Sequence, residues 1–203
     1  MHFSMHKVRW LWTAHVTHHS STRMNYSTAL RQNFTLLFNG AWVIWWVPIA
    51  LIGFDKNWAT IAIELNLAYQ FFLHTETKSP LNKLGMIFNT PSHHRVHHAC
   101  NVQYLDKNYG GTLIIYDRMF GSFEEEDECV VFGIPEQINT FNPIVVSFHG
   151  WIALARDIIK TPGLLNKTKL LFMPPGWAPD GRGLTTKEKQ SAYYGNEKQL
   201  MSL

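Results

Sequence analysis

The sequence predicts an all-α protein: a membrane helical bundle with at least one transmembrane hairpin and a cytosolic, histidine-rich helical cap. Three observations predict it. Histidines recur at helical spacing, as His2 with His6, then His15, His18 and His19, then His94, His97 and His98. Residues three and four apart share one helix face, so each group presents its imidazoles to one spot. Between the groups, Phe34 to Phe54 carries no charge, about the ~20 residues that cross a bilayer core of ~30 Å. Basic residues flank this stretch unevenly: Lys7, Arg9, Arg23 and Arg31 precede it, Lys78, Lys83 and Arg95 follow, and Lys56 alone marks the far turn. That is the positive-inside asymmetry, and it places the histidine groups on the cytosolic side.

Taken in order, residues 2–19 read as one helix, with the aromatic Trp10–Trp12 segment between its histidines. Ser20-Ser21-Thr22 stops it, and Asn25 offers a cap for the next helix. Residues 34–73 read as the membrane hairpin, with Trp42, Trp45, Trp46 and Pro48 in the first arm and a turn at Gly53–Asn57. The second arm, Trp58 to Leu73, contains Glu64 and Asn66. An intramembrane Glu64 is expected to face protein or a cavity rather than lipid. His74 falls where the hairpin re-emerges, and Ser79-Pro80 starts a new segment. Asn89-Thr90-Pro91-Ser92 caps the helix carrying His93-His94-Arg95-Val96-His97-His98, with proline in its first turn.

Residues 101–109 form a polar loop, Glu124 to Glu128 an acidic solvated turn, and Val130 to Phe132 a short strand. Residues 143–160, with His149 and Trp151, form an amphipathic helix. The expected domain runs over residues 1–177, followed by a loose tail over 178–203. Because His2 directly follows Met1, upstream membrane helices are expected to be missing from this chain.

Composition narrows the function. The net charge of +3 comes from scattered Lys and Arg, with no basic block of the kind nucleic acid requires. Cys100 and Cys129 make no disulfide framework, which fits a reduced compartment. Mean hydropathy is −0.13, an average that hides the apolar block.

Neutral imidazole suits iron, zinc, copper or nickel. Structural zinc sites are closed and usually use cysteine, whereas this chain has eleven histidines and two cysteines. If the hairpin returns the chain to its starting side, the groups meet with enough imidazoles for two ions. Such nitrogen-rich sites beside a membrane point to redox-active iron, since dioxygen activation is beyond unaided side chains. Zinc fits the same imidazoles. The competing reading is a non-catalytic membrane metal-binding protein.

The boxes His2-x3-His6, His15-x2-His18-His19 and His94-x2-His97-His98, with the downstream stretch Asn108-Tyr109-Gly110 to Phe123, resemble those of the membrane fatty acid hydroxylase/sterol desaturase superfamily. Trp12 to Ser21, Ser27 to Gln32, His74-Thr75-Glu76, Asn89 to His98 and Asp106 to Tyr109 are most similar to its alkylglycerol monooxygenase branch and bacterial relatives of that branch. The resemblance implies an integral-membrane di-iron monooxygenase that hydroxylates an unactivated C–H bond of a lipid, with an external electron donor. Sterol or carotenoid hydroxylation or desaturation on the same site is the alternative it carries. It implies His2, His6, His15, His18, His19, His74, His94, His97 and His98 as metal ligands and His93 as a further ligand or outer partner. Glu76, Asp106, Asn108 and Asp117 are candidates to accept the second imidazole N–H. Lys7 stands where ether-cleaving members carry glutamate, which counts against tetrahydrobiopterin as a cofactor.

Overall fold

The computed structural model describes residues 1–77 and 83–200. Lys78, the Ser79-Pro80 start and residues 201–203 of the expected tail lie outside the described residues. The described chain is helical, and its only β pairings are two isolated antiparallel bridges, Phe88 with Leu113 and Ala99 with Phe132. The strand expected over Val130–Phe132 reduces to the second of these.

The single helix expected over residues 2–19 is two: α1 (His2–Lys7) and α2 (Arg9–His19). Val8 between them is extended, with φ −116° and ψ 114°. The break is held from outside, because the Arg9 N–H donates to the Met173 carbonyl at 3.1 Å. That satisfies one of the donors a helix start leaves open. The break lets α1 pack on α2. Met5 and Leu11 then share one apolar cluster with Ala41.

Asn25 caps α3 (Tyr26–Ala29) through a reciprocal capping box with Thr28. The charge-free stretch is not one span. A 3-10 turn at Phe34–Leu37 is followed by left-handed Gly40 and then α4 (Ala41–Ile52). Among the described residues no single helix is long and apolar enough to cross a membrane, but Tyr26–Leu37 with Ala41–Ile52 forms an apolar pair bent by 83°. Gly53 ends α4, and the Asp55 carboxylate caps α5 (Lys56–Leu73). Both arms expose large apolar side chains, among them Trp42, Leu51, Trp58, Leu65 and Phe72.

The root of α5 is clipped to the polar loops. Tyr69 donates to the Asn89 carbonyl at 2.6 Å, and Thr112 donates to the Asn66 side chain at 2.6 Å. Glu64 departs from expectation and is exposed. At 3.6 residues per turn it lies roughly 200° around the helix from Asn66, so it points away from those loops.

Thr90 caps α6 (Pro91–His97), with Pro91 at its start. After α7 (Ile115–Phe120), the amphipathic segment forms α8 (Pro143–Lys160), followed by α9 (Leu164–Phe172). Helix α2 packs against both α8 and α9. Gly150 makes the first contact close, since a Cβ there would lie 2.9 Å from the Thr13 carbonyl oxygen. Thr17 donates to the Val146 carbonyl and Asn33 to that of Ser147.

Two expectations about polar segments change. The acidic run is not merely solvated: Glu126 takes the guanidinium of Arg95, which is 5% exposed and also donates to the Thr75 and Thr77 carbonyls. The loose tail contains α10 (Thr186–Leu200), whose Gln190 donates to the Val102 and Leu105 carbonyls.

Candidate metal centre

Nine of the eleven histidines converge into two adjoining groups. His2, His6, His15, His19 and His97 form one; His18, His74, His94 and His98 form the other. Within each, one ring nitrogen from every member lies within 4.8 Å of the others. The sequence boxes are interleaved between the groups. On α2, His15 and His19 face one group and His18 the other, while α6 gives His97 to the first and His94 to the second. The groups touch, with the His19 and His98 rings stacked at 4.4 Å and His94 and His97 stacked at 5.6 Å.

Hydrogen bonding fixes which nitrogen faces inward. His2 Nδ1 meets the Tyr109 carbonyl at 2.7 Å, His97 Nδ1 that of Lys107 at 2.9 Å, and His74 Nδ1 that of Gln70 at 2.8 Å. A carbonyl only accepts, so each Nδ1 carries the proton and each Nε2 a lone pair. His2 Nε2 then faces His15 Nε2 at 3.0 Å, and His15 Nε2 faces that of His19 at 3.2 Å. In the second group His74 Nε2 faces His18 Nε2 at 3.3 Å and His94 Nε2 at 3.0 Å. The Nε2 atoms of His6, His97 and His98 are buried with no hydrogen-bond partner among the described residues.

An inward Nε2 that faces another at this spacing either accepts a proton from it or shares a cation with it, and the Nε2 atoms of His6, His97 and His98 have no such protonated partner. Nitrogens bound at ~2.1 Å to one ion lie about 3 Å apart when adjacent, which is the spacing observed. The donor set therefore fits two metal ions, and its nitrogen-only chemistry suits a transition metal.

Electrostatics agree. Burial, followed by neighbouring imidazoles, holds His2 and His18 down to about 3. The same causes hold His15, His19, His94, His97 and His98 well below the usual histidine range. Burial also lowers His6 and His74. All nine are neutral near pH 7, the form that binds metal.

The remaining candidates separate. His93 belongs to neither group; its ring lies 5.2 Å from Phe123, and Nε2 is 3.9 Å from Glu125. His149 also stands apart, its Nδ1 donating to the Val146 carbonyl. Of the expected acceptors only Asp106 meets a grouped imidazole, His6 Nδ1 at 3.5 Å, while Lys7 holds its other oxygen at 2.6 Å. Burial raises the Asp106 carboxyl, but His6 and Lys7 outweigh it and set it at about 2.

Asn108 and Asp117 act through the backbone instead. Asn108 is fully buried, donates to the His93 and Glu124 carbonyls and accepts from the Glu124 N–H. Asp117 accepts from the Tyr109 and Gly110 N–H groups and from Ser122. Glu76 accepts from the Met24 N–H and touches no grouped imidazole. Sequence reasoning missed the carbonyls of Gln70, Lys107 and Tyr109. It also missed Gln32, whose amide is 3.3 Å from His18 Nδ1.

One cavity adjoins this arrangement, and a second lies within the hairpin. One, about 1070 Å³, opens on His6, His19 and His97 and extends between α8 and the 175–184 segment. The other, about 490 Å³, is apolar and lies between α4 and α5, lined by Trp45, Ile49, Phe54, Trp58 and Ile63.

The family model for fatty acid hydroxylase matches residues 1–122. The chain is 44% identical to alkylglycerol monooxygenase of Homo sapiens over 97% of its own length and 43% of that protein. It is 43% identical to alkylglycerol monooxygenase of Xenopus tropicalis, over 97% of this chain and 44% of that protein. A more distant match is the ornithine lipid hydroxylase OlsE of Rhizobium tropici, 29% identical over 56% of this chain and 34% of that protein. The chain thus spans less than half the length of these curated relatives. No solved structure matches it.

Proposed function

The chain belongs to the fatty acid hydroxylase family, and on that premise we propose that it is the metal-holding part of a membrane-bound di-iron oxygenase that hydroxylates a C–H bond of a lipid. The observation that carries this reading is the pair of adjoining imidazole groups with inward-facing Nε2 atoms at the root of an apolar hairpin. His2, His6, His15, His19 and His97 would hold one iron, and His18, His74, His94 and His98 the other. When bound and reduced, the irons supply dioxygen activation and hydrogen removal from an unactivated C–H bond.

The rest belongs to the protein. Carbonyls at Gln70, Lys107 and Tyr109 keep the Nδ1 protons in place, so the imidazoles hold metal and do no acid–base work. The exposed apolar arms α4 and α5 would dip into the bilayer, with the histidines on its cytosolic face by the placement of Lys and Arg. Their apolar cavity would receive a lipid chain. Electrons come from an external donor. The hydroxylase domain would extend past residue 122 to Trp177, because α8 and α9 cover α2. The alkylglycerol monooxygenases at 44% and 43% identity make an ether lipid the first substrate to test. Lys7 remains the argument against tetrahydrobiopterin; its ammonium is committed to Asp106.

The test is oxygen-dependent turnover of a lipid panel by the full-length protein, read by mass spectrometry. Hydroxylated or cleaved product that vanishes in His97→Ala is expected. Iron loading without product from any lipid would instead favour a metal-binding protein.

A further inference from the structure

The two imidazole groups differ in what surrounds them. Three members of the five-histidine group, His6, His19 and His97, line the 1070 Å³ cavity. Among the described residues, no member of the four-histidine group lines it. That second group is closed in by the root of α5, where Gln70 holds His74, and by Gln32 against His18.

The open group has a clamp that the closed one lacks. The segment Asp106–Tyr109 meets three of its five imidazoles on their outer nitrogens. The Asp106 carboxylate approaches His6, the Lys107 carbonyl accepts from His97, and the Tyr109 carbonyl accepts from His2. Asp106 and Asn108 adopt left-handed backbone, with φ of 61° and 53°, a conformation Asp and Asn tolerate better than most residues. Asn108 and Asp117 pin the segment from behind.

We propose that the two metal positions are inequivalent in exchange: the five-histidine position is the one reached from the cavity, and Asp106–Tyr109 is the clamp that retains its ion. This rests on the metal reading above and adds which position admits a water-soluble ligand. Asp106 is a positioning residue here. It aims His6 while Lys7 holds its second oxygen at 2.6 Å.

The experiment uses the full-length protein in detergent, loaded anaerobically with ferrous iron and challenged with 2,2′-bipyridine, whose iron complex is coloured. Two phases of equal amplitude are expected. Asp106→Asn should weaken retention in the fast phase alone, by about ten- to a hundred-fold, the usual cost of losing an outer partner of a ligand. Ala153→Trp, which narrows the cavity from α8, should slow the fast phase without changing the iron count. It also keeps the test alive should Asp106→Asn fold poorly. Release of both irons in one phase, or equal acceleration of both phases by Asp106→Asn, overturns the inference and leaves the di-iron reading standing. A fast phase unaltered by Ala153→Trp does the same. A wild-type protein that binds no iron overturns both.

Discussion

His93 and His97 lie on the same seven-residue helix, one turn apart, yet only His97 enters a metal group. Helical spacing alone places them on a common face. The difference is set by the Lys107 carbonyl, which turns His97 inward, and by Phe123 and Glu125, which occupy His93. His93→Gln should therefore keep both irons, at a stability cost of about 1 kcal/mol for a buried polar exchange. His97→Gln should lose one iron. Counting iron per chain in the two purified variants decides it, and loss of iron from His93→Gln would return His93 to the ligand set. At this scale eight of the nine converging imidazoles were legible from regular His spacing, and His74, a single histidine, only through the family resemblance. Of their orienting partners Asp106 was, but three others are backbone carbonyls, and a carbonyl has no sequence identity.

The elements were legible where local chemistry sets them. Asn25 and Thr90, both read as lying in caps, each accept hydrogen bonds at the helix starts that they cap. The break at Val8 was not legible, because its partner, the Met173 carbonyl, is remote in the chain. Nor was the bend at Gly40, which a charge-free run conceals within a continuous apolar pattern. The α2–α8 contact depends on a residue whose meaning only the fold supplies. Gly150 lets α8 approach the Thr13 backbone, and a Cβ would also come within 3.1 Å of Val16. Gly150→Val should push α8 away and destabilise the protein by about 1–3 kcal/mol, the usual range for overpacking. Because α2 carries His15, His18 and His19, iron affinity should fall with it. A thermal melt unchanged from wild type would show that the α2–α8 contact is slack.

For the whole molecule, the concentration of buried neutral imidazoles fixes a direction of pH response. Their ordinary value is near 6.5, and in the fold burial holds His2 and His18 at about 3 and the other grouped members below that ordinary value. The unfolded chain therefore takes up protons as pH falls through about 6.5, while the folded chain refuses them until far lower. The stabilisation is complete above that point and is lost progressively toward about 3. Many histidines act in the same window, so the loss should be steep. Asp106, set at about 2 against an ordinary 3.8, contributes in the same direction but only at the acid end. Metal-free full-length protein should show a melting temperature that falls steadily from about pH 7 to about pH 4. Iron should move that fall to lower pH, because an ion bound by the folded chain alone stabilises it. Melting curves recorded with and without ferrous iron across this range test both statements. A melting temperature that is flat or rises on acidification would mean that the histidines are already hydrated and protonated in the folded state, and that the tightly buried pair of imidazole groups does not form.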